Sequence, residues 1–201
     1  MTDTKQKILD AAERLIAENG YSATSLRQII AEAGVNLASV HYHFGSKEEL
    51  LNELVARKAN PVNEKRLELL EHVVAEAAPG PASVEKVLEA FMVPMARAAS
   101  RNPQFVKVMG RIMAEGLRES IAQKHFKPVA GRFFAELRKA LPELPDEEFQ
   151  WRVQFLIGAM AHTMCGCTGA GHAFEERIAH LVRFLAAGFY APAGRKVEVS
   201  A

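Results

Sequence analysis

The stretch Gly20-Tyr-Ser-Ala-Thr-Ser-Leu-Arg-Gln-Ile-Ile-Ala-Glu-Ala-Gly-Val-Asn-Leu-Ala-Ser-Val-His-Tyr-His-Phe-Gly-Ser-Lys-Glu-Glu-Leu50 decides how this chain folds. It predicts two short helices joined by a tight turn at Gly34, followed by a Gly-Ser-Lys corner that leads into another helix. Two helices connected in this way form a helix-turn-helix, which places its second helix in the major groove of DNA. We therefore expect a DNA-reading head in this part of the chain.

Helical periodicity and capping signals place the helices of the head at residues 4–19, 26–33 and 37–44. Ser25 and Gln28 have the spacing of a capping box at the start of the second helix. Val40 and Phe44 lie four residues apart, so both face the same side of the third helix, toward the interior. Gly20 ends the first helix, as the left-handed cap position prefers, and Gly34 supplies the turn between the second and third helices.

The rest of the chain predicts further helices and no sheet, because β-branched residues do not cluster in alternating runs. Asn60-Pro61 predicts a break, after which a helix resumes at residues 62–77. Later helices are predicted at residues 83–100, 103–117, 119–140, 146–166 and 173–190. The expected fold class is all-α with about nine helices, comprising a three-helix head in residues 1–59, a body in 60–192 and a frayed tail in 193–201.

The charge balance excludes a generally basic protein that coats nucleic acid. The whole chain carries 25 Lys and Arg against 24 Asp and Glu, for a net charge of +1, and residues 1–58 carry seven basic and eight acidic side chains. Between Gly34 and Ser46, however, there is no acidic residue. A helix in that stretch can approach phosphates without repulsion, but with so few cations we expect modest non-specific affinity and a need for dimerisation.

Other features bear on the compartment and on cofactors. The N-terminal residues have no apolar signal region, so we expect a cytoplasmic protein. The uncharged run at residues 153–174 is interrupted by polar side chains and four glycines, which favours a buried or interface helix over a membrane span. Cys165 and Cys167, with His162 and His172 nearby, form a weak zinc pattern because two thiols at this spacing splay apart, so we expect no metal and no cofactor.

The third helix has the side chains that a duplex-reading helix needs at its leading end. Leu37 and Ala38 can contact a thymine methyl group, and the hydroxyl of Ser39 can donate to a base edge. Hydroxyl, imidazole and ammonium groups farther along the flank suit phosphate oxygens. The predicted DNA contacts are Thr24, Ser25, Arg27, Asn36, Leu37, Ala38, Ser39, His41, Tyr42, His43 and Lys47.

Several residue types recur at fixed spacing in the segments Ala33-Gly34-Val35, Tyr42-His43-Phe44 and Gly45-Ser46-Lys47-Glu48, together with Val40. In this pattern the head resembles the TetR family of transcriptional regulators. The resemblance implies backbone contacts from Thr24, Ser25, Tyr42, His43 and Lys47, and base contacts from Leu37, Ala38 and Ser39. The family often has tyrosine where His41 stands, and an imidazole is shorter than a phenol.

Most of the methionines and phenylalanines of the chain lie in the body. Apart from Met1, all methionines lie between Met92 and Met164, and ten of the eleven phenylalanines lie beyond residue 90. Methionine adapts to irregular apolar shapes, so this skew predicts a cavity for an apolar ligand, with a Met-rich core as the alternative. The resemblance implies such an effector cavity among the middle helices. The predicted pocket residues are Phe91, Met92, Met95, Phe105, Met109, Met113, Trp151 and Phe155.

The sequence pattern of the last two predicted helices indicates a dimer interface. Apolar residues recur there at intervals of three and four, and small residues near Gly158 allow a close helix approach. Packed against the same pair from a second chain, they would place two heads roughly 34–36 Å apart on a palindrome. The alternative is an intramolecular core. The predicted interface residues are Phe149, Val153, Gly158, Met160, Met164, Phe174, Ile178, Leu181 and Leu185.

Three patches of sequence extend the resemblance toward one branch of the family. The segments Val35-Asn-Leu-Ala-Ser, Pro61-Val-Asn-Glu-Lys-Arg-Leu and Gly158-Ala-Met-Ala-His-Thr-Met are similar to the branch typified by the fatty-acid-responsive repressor PsrA. This similarity implies a long-chain acyl effector.

The sequence therefore favours a homodimeric DNA-binding regulator, a repressor that a small apolar effector releases from a palindromic operator. The chain has no phosphate-binding loop, dinucleotide fingerprint or nucleophile elbow, so we expect no enzymatic activity. The alternative is a helical small-molecule carrier or enzyme that retains a vestigial DNA-binding head.

Overall fold

A computed structural model of the chain describes the backbone of residues 2–165 and 172–193, and their side chains except those of residues 2, 3, 113, 118, 164, 165 and 172–174. The described ranges contain helices and no strands, which confirms the all-α class. The ten helices are α1 (Thr2–Asn19), α2 (Leu26–Ala33), α3 (Leu37–Phe44), α4 (Lys47–Ala77), α5 (Val84–Arg101), α6 (Pro103–Ala114), α7 (Arg118–His125), α8 (Lys127–Ala140), α9 (Asp146–Cys165) and α10 (His172–Tyr190).

The described residues form ten helices where about nine were expected, and two predicted helices differ from the observed ones by more than a few terminal residues. The segment predicted as one helix at residues 119–140 is two helices, which meet at Phe126. Conversely, α4 continues through Pro61, where a break or kink was expected, so the predicted break is wrong. A proline ring removes one backbone hydrogen bond, but on either side of it Ala59 and Val62 are buried, and this packing holds the helix together.

The chain divides into two compact units, which are not consecutive in sequence. The first contains the residues up to Lys65 together with Arg97–Val129, and the second contains Arg66–Ala96 together with the described residues from Ala130 onward. The first unit therefore includes α6 and α7 in addition to the predicted head. None of the described helices has the length and apolar character needed to cross a bilayer.

The first unit is built around α1, which packs against α2, α3 and α6. Its amphipathic stripe is fully buried, and side chains from α2, α3, α4, α6 and α7 complete one apolar cluster. The largest contributors from these helices are Ile8, Ile16, Ile29, Val40, Phe44, Leu54, Val108, Ile112 and Ile121. The position of α3 is thus fixed by the same core that holds α6.

A buried carboxylate joins α1 to α4 within this unit. Glu13 accepts a hydrogen bond from Arg57 Nη2 at 2.7 Å, lies 3.2 Å from Lys58 Nζ, and accepts from Asn102 Nδ2 at 3.3 Å. Arg57 Nη1 also donates to Asp10 at 2.6 Å. Because Glu13 is only 6% exposed, these partners compensate the cost of removing its charge from water.

The second unit has its own core, in which aromatic rings and a buried cation meet. The rings of Phe91 and Phe133 are 5.0 Å apart, and the guanidinium of Arg66 lies 4.3 Å from the centre of the Phe91 ring. Arg66 Nε donates to the carbonyl of Phe91 at 2.7 Å, and burial lowers the pKa of this guanidinium to about 10. A cation–π contact of this kind offsets part of the desolvation cost.

A second buried arginine fastens the end of α10 to α9. Arg152 Nη1 donates to the carbonyls of Phe189 at 2.8 Å and Ala191 at 2.9 Å, and its other nitrogens bind Glu148 at 2.8 and 3.0 Å. The last carbonyls of a helix have no partners within the helix, so a donor from outside satisfies them. Arg152 therefore acts as a C-terminal cap supplied by a neighbouring helix.

We predict that Arg152→Ala lowers the free energy of unfolding by about 3 kcal/mol, because it leaves buried carbonyls and Glu148 without their donor. Urea unfolding followed by circular dichroism measures the change. The control is Arg183→Ala on the exposed face of α10, with an expected change within about 0.5 kcal/mol. Equal effects from the two substitutions would contradict the capping role.

Candidate nucleic-acid interface

The predicted capping box at the start of α2 is confirmed. Ser25 Oγ accepts from the backbone N–H of Gln28 at 3.3 Å, and the Gln28 side chain accepts from the Ser25 N–H at 2.7 Å. Gly34 ends the helix in the left-handed conformation with φ 64° and supplies the predicted turn. These two signals fix the short helix that precedes α3.

The orientation of α3 follows from which of its side chains enter the core. Val40 and Phe44 are 1% and 6% exposed, whereas Leu37 is 53% and Tyr42 is 73% exposed. Ala38 and His41 are also exposed. Residues four apart on a helix are neighbours, so Leu37 with His41, and Ala38 with Tyr42, form one outward face, which we call the reading face.

The polar residues at the leading end of α3 satisfy one another. Asn36 is the N-cap residue, and its Oδ1 accepts from the Ser39 backbone N–H at 2.8 Å and from the Ser39 hydroxyl at 3.0 Å. The Ser39 side chain is half-buried. The predicted base donor therefore directs its proton toward the helix cap in this structure.

The two histidines of α3 occupy different positions. His41 is exposed, and its Nδ1 lies 3.3 Å from the carbonyl of Gly45, a group that can only accept a hydrogen bond. His43 is half-buried, and its ring packs edge-on against Tyr42 with the centroids 5.1 Å apart. Both imidazoles are thus oriented by contacts within the α3 segment.

Lys47 was predicted to contact a phosphate, but its ammonium group is turned toward the protein. Lys47 Nζ donates to the carbonyl of Tyr21 at 2.5 Å and lies 4.0 Å from the centre of the Tyr21 ring. Burial lowers the pKa of Lys47, and the nearby negative charge of Glu115 opposes this shift. A phosphate contact by Lys47 would therefore require its side chain to leave Tyr21.

The prediction that the Thr24 side chain contacts DNA is wrong. Thr24 is 1% exposed, and its hydroxyl donates to the carbonyls of Gly20 at 2.7 Å and Leu15 at 3.2 Å. The side chain caps the end of α1 and cannot also reach a phosphate. Among its predicted neighbours, Ser25 and Arg27 are exposed at the start of α2, as a phosphate contact requires.

The turn between α1 and α2 is held by a carboxylate from the end of α6 that the sequence did not reveal. Glu115 accepts from the backbone N–H groups of Tyr21 at 2.8 Å and Ser22 at 2.7 Å, and from the Ser22 hydroxyl at 2.5 Å. These bonds, that of the Ser22 hydroxyl foremost, lower the pKa of Glu115, while burial opposes the shift. Gly20, with φ 90°, permits this close approach, because a Cβ there would overlap a Glu115 oxygen.

An open groove of about 510 Å³ lies between α1 and α6 in the same unit. Four of its six lining residues are polar or charged, and Arg111 donates to the carbonyl of Glu18 at 3.0 Å. This groove is not the predicted apolar pocket, since Ala17 is its one apolar side chain among Ala17, Glu18, Gln104, Lys107, Gly110 and Arg111.

The predicted pocket residues fall into three groups. Phe91 and Met92 are buried and Met95 is half-buried in the second unit, whereas Phe105 is buried and Met109 half-buried in the first. The side chain of Met113 lies outside the described residues. Trp151 and Phe155 were wrongly placed on a pocket wall, because they are 50% and 64% exposed and stack on each other on the surface of α9.

The residues predicted to form the dimer interface differ in how far they are buried within their own chain. Ile178 and Leu185 are 1% and 6% exposed within their own chain, so they belong to the core of the second unit and not to a free surface. Gly158 is exposed, whereas Phe149, Val153, Met160 and Leu181 are half-buried. The side chains of Met164 and Phe174 lie outside the described residues, as do those of Cys165, Cys167 and His172.

The predicted interface relied on an apolar stripe of α10 that is buried within the chain. Other apolar side chains of α9 and α10 are exposed instead. Trp151 and Phe155 on α9, and Phe184 on α10 at 74% exposure, are large exposed apolar side chains of these two packed helices, and we call them together the apolar face. The sequence signal was their spacing: 151, 155 and 158 on α9, and 181, 184 and 188 on α10, each follow one side of a helix. The inward stripe of α10 has the same period, so periodicity alone did not identify the outer one.

Comparison with known proteins gives two family matches. Residues 8–54 match the profile described as bacterial regulatory proteins of the tetR family, and residues 89–188 match a tetracyclin repressor-like C-terminal domain. Together the two profiles cover well over half of the chain.

Individual relatives match parts or most of the chain. The regulator LmrA of Bacillus subtilis is 41% identical over 70 residues, which is 34% of this chain and 37% of LmrA. The regulator SrpR of Pseudomonas putida is 26% identical over 196 residues, which is 94% of this chain and 84% of SrpR. In structure, a tetR-family protein from Shewanella sp. PV-4 aligns with a TM-score of 0.66 at 20% identity, covering 93% and 96% of the two chains.

We predict that Glu115→Gln lowers the free energy of unfolding by about 1 kcal/mol at pH 7, since an amide cannot accept from all three donors and solvent screens the site. The lowered pKa of Glu115 in the folded state means that its contribution is present above about pH 4.5 and is lost as pH falls through the folded-state pKa.

Urea unfolding at pH 7 and at decreasing pH checks this, with Glu119→Gln, an exposed carboxylate on α7, as the control. The difference between wild type and Glu115→Gln is expected to shrink below pH 4.5. A difference that is independent of pH would show that the ionised carboxylate does not hold the turn.

Proposed function

Because this chain belongs to the TetR family of bacterial transcriptional regulators, we propose that it binds a palindromic operator as a homodimer and represses transcription until a small apolar effector releases it. Members of this family are DNA-binding regulators, and most of them are repressors. In this proposal the protein acts in the cytoplasm, where the DNA is, and has no catalytic activity.

The observation that carries the proposal is the reading face of α3. Leu37, Ala38 and Tyr42 are exposed because Val40 and Phe44 anchor the opposite side of the helix in the core of the first unit. Small and apolar groups at the leading end, followed by a phenol, suit a helix that lies in the major groove and touches phosphates along its flank. No acidic side chain interrupts this face.

The exposed apolar face of α9 and α10 supports a dimer. Trp151, Phe155 and Phe184 lie on adjacent packed helices, and large aromatic side chains are enriched in protein interfaces. The exposed Gly158 and Gly188 allow close approach of a second backbone. Pairing of this face with its copy gives a four-helix bundle with twofold symmetry, and the operator then shares that symmetry.

The contact of α6 with the head supports a route for release. Glu115 holds the turn that precedes α2, and α6 also packs along α1. In the proposed mechanism, an effector favours a conformation in which α6 is displaced, the turn moves with Glu115, and the two heads no longer match successive major grooves. An effector with equal affinity for both conformations would release nothing.

The effector class rests on composition and on the resemblance to fatty-acid-responsive repressors. Phe91 and Met92 are buried, and Phe91 packs against Phe133 in a unit rich in aromatic and flexible apolar side chains. Such surroundings suit an acyl chain. The rival function is that of a small-molecule carrier or enzyme with a vestigial DNA-binding head. An apolar cavity would suit that function as well.

We predict that the protein enriches a palindromic sequence from random DNA, and that Tyr42→Phe weakens binding to it about tenfold by removing a hydroxyl from a phosphate contact. Fluorescence anisotropy measures the affinity. The matched control is Tyr190→Phe, which removes a hydroxyl from α10 and leaves DNA affinity unchanged. If the wild-type protein enriched no sequence, the carrier or enzyme would be the better interpretation.

The same titrations test the electrostatics. Arg27 is exposed on α2 and Lys47 is held by Tyr21, so we predict a plot of log affinity against log salt with a slope no steeper than about −4 for the dimer. This limit corresponds to about two neutralised phosphates for each protomer. A slope near −8 would mean that other cations dominate binding.

We predict that the wild-type protein is a dimer at micromolar concentration and that Phe155→Glu or Phe184→Glu converts it to a folded monomer, because either places a charge at the centre of the apolar face. Light scattering after size exclusion measures the mass. Leu37→Glu, at an apolar position of similar exposure in the head, is the control and stays dimeric. Dimers that survive both substitutions would place the interface elsewhere.

A further inference from the structure

The leading turn of α3 has few polar groups left for a base edge. Asn36 Oδ1 already accepts from both the N–H and the hydroxyl of Ser39, and the hydroxyl is half-buried. To donate to a base, the Ser39 hydroxyl would have to leave Asn36 Oδ1, although the Ser39 N–H would still cap this eight-residue helix. The Asn36 side chain and a base edge therefore compete for the same hydroxyl proton.

Apart from the exposed Asn36, the leading turn presents apolar side chains. Leu37 is 53% exposed although it begins a helix whose other large apolar residues, Val40 and Phe44, are buried. Ala38 beside it is exposed as well. In the major groove, the one apolar group on a base edge is the C5 methyl group of thymine.

We infer that Leu37 and Ala38 read the operator through thymine methyl groups, while Ser39 serves the helix cap and not a base. This inference rests on the proposed DNA-binding function and specifies the chemistry of its recognition. It predicts one or two thymines under the leading turn in each half-site, with Leu37 as the principal specificity-determining residue. Hydrogen-bonded contacts then fix the position of α3 along the phosphates rather than the choice of base.

The test begins with the operator selected from random DNA by the full-length protein. Each thymine is then replaced by deoxyuridine, which removes the methyl group and retains base pairing. At the thymine that Leu37 contacts, we expect an affinity loss of about fourfold in one half-site and about fifteenfold when both half-sites are changed, the value of one methyl group buried per half-site.

The variants assign the effect to its residue. Leu37→Ala is expected to bind thymine and deoxyuridine operators with nearly equal affinity, because the larger part of the apolar contact is gone. Ser39→Ala is expected to select the same bases as the wild type. Replacing thymine by cytosine and then by 5-methylcytosine adds a further arm, in which the methyl group alone restores about fourfold.

The possible outcomes distinguish a failure of the thymine-methyl readout from a failure of the proposed DNA-binding function. If the wild type enriches no sequence, both are wrong. If it enriches an operator but no thymine-to-deoxyuridine replacement changes the affinity, only the methyl readout is wrong. The readout is also wrong if Leu37→Ala keeps the full sensitivity to deoxyuridine, or if Ser39→Ala changes the selected bases.

Discussion

Burial of Val40 and Phe44 in the core around α1 determines which side of α3 meets the solvent. An eight-residue helix has little stability of its own, so its orientation must come from tertiary packing. Removing two side chains of this size from water contributes about 4 kcal/mol in total, enough to outweigh the exposure of Leu37 and Tyr42 on the other side. The exposed side is thereby presented with a defined geometry, as recognition of a rigid duplex requires.

That core is shared with α6 and α7, which makes the head part of a larger unit. Glu115 and the close approach at Gly20 join the end of α6 to the turn before α2, and His125 of α7 joins α4 through Asn52 and Asn63. His125 Nε2 lies 3.3 Å from Asn52 Oδ1, and its carbonyl accepts from Asn63 Nδ2 at 2.8 Å. In the proposed mechanism, α6 and α7 would therefore act on the turn before α2 and on α4, through hydrogen bonds that a small displacement would break.

Local signals in the sequence were sufficient for the head and insufficient for longer-range features. The bounds of α2 and α3 follow from the Ser25–Gln28 capping box, the left-handed Gly34 and the spacing of Val40 and Phe44, all within a few residues of one another. Glu115 could not be identified because its partners are more than 90 positions away in sequence. On α10 two apolar stripes have the same helical period, so only the packing distinguishes the inward Ile178 from the outward Phe184.

Methylation interference on the selected operator tests most directly whether α3 reads the major groove from two heads at once. Methyl groups at guanine N7 lie in the major groove, and those at adenine N3 lie in the minor groove. We predict that N7 methylation blocks binding in two patches centred about 10 base pairs apart, while N3 methylation between them has little effect. Interference confined to the minor groove, or to a single patch, would contradict it.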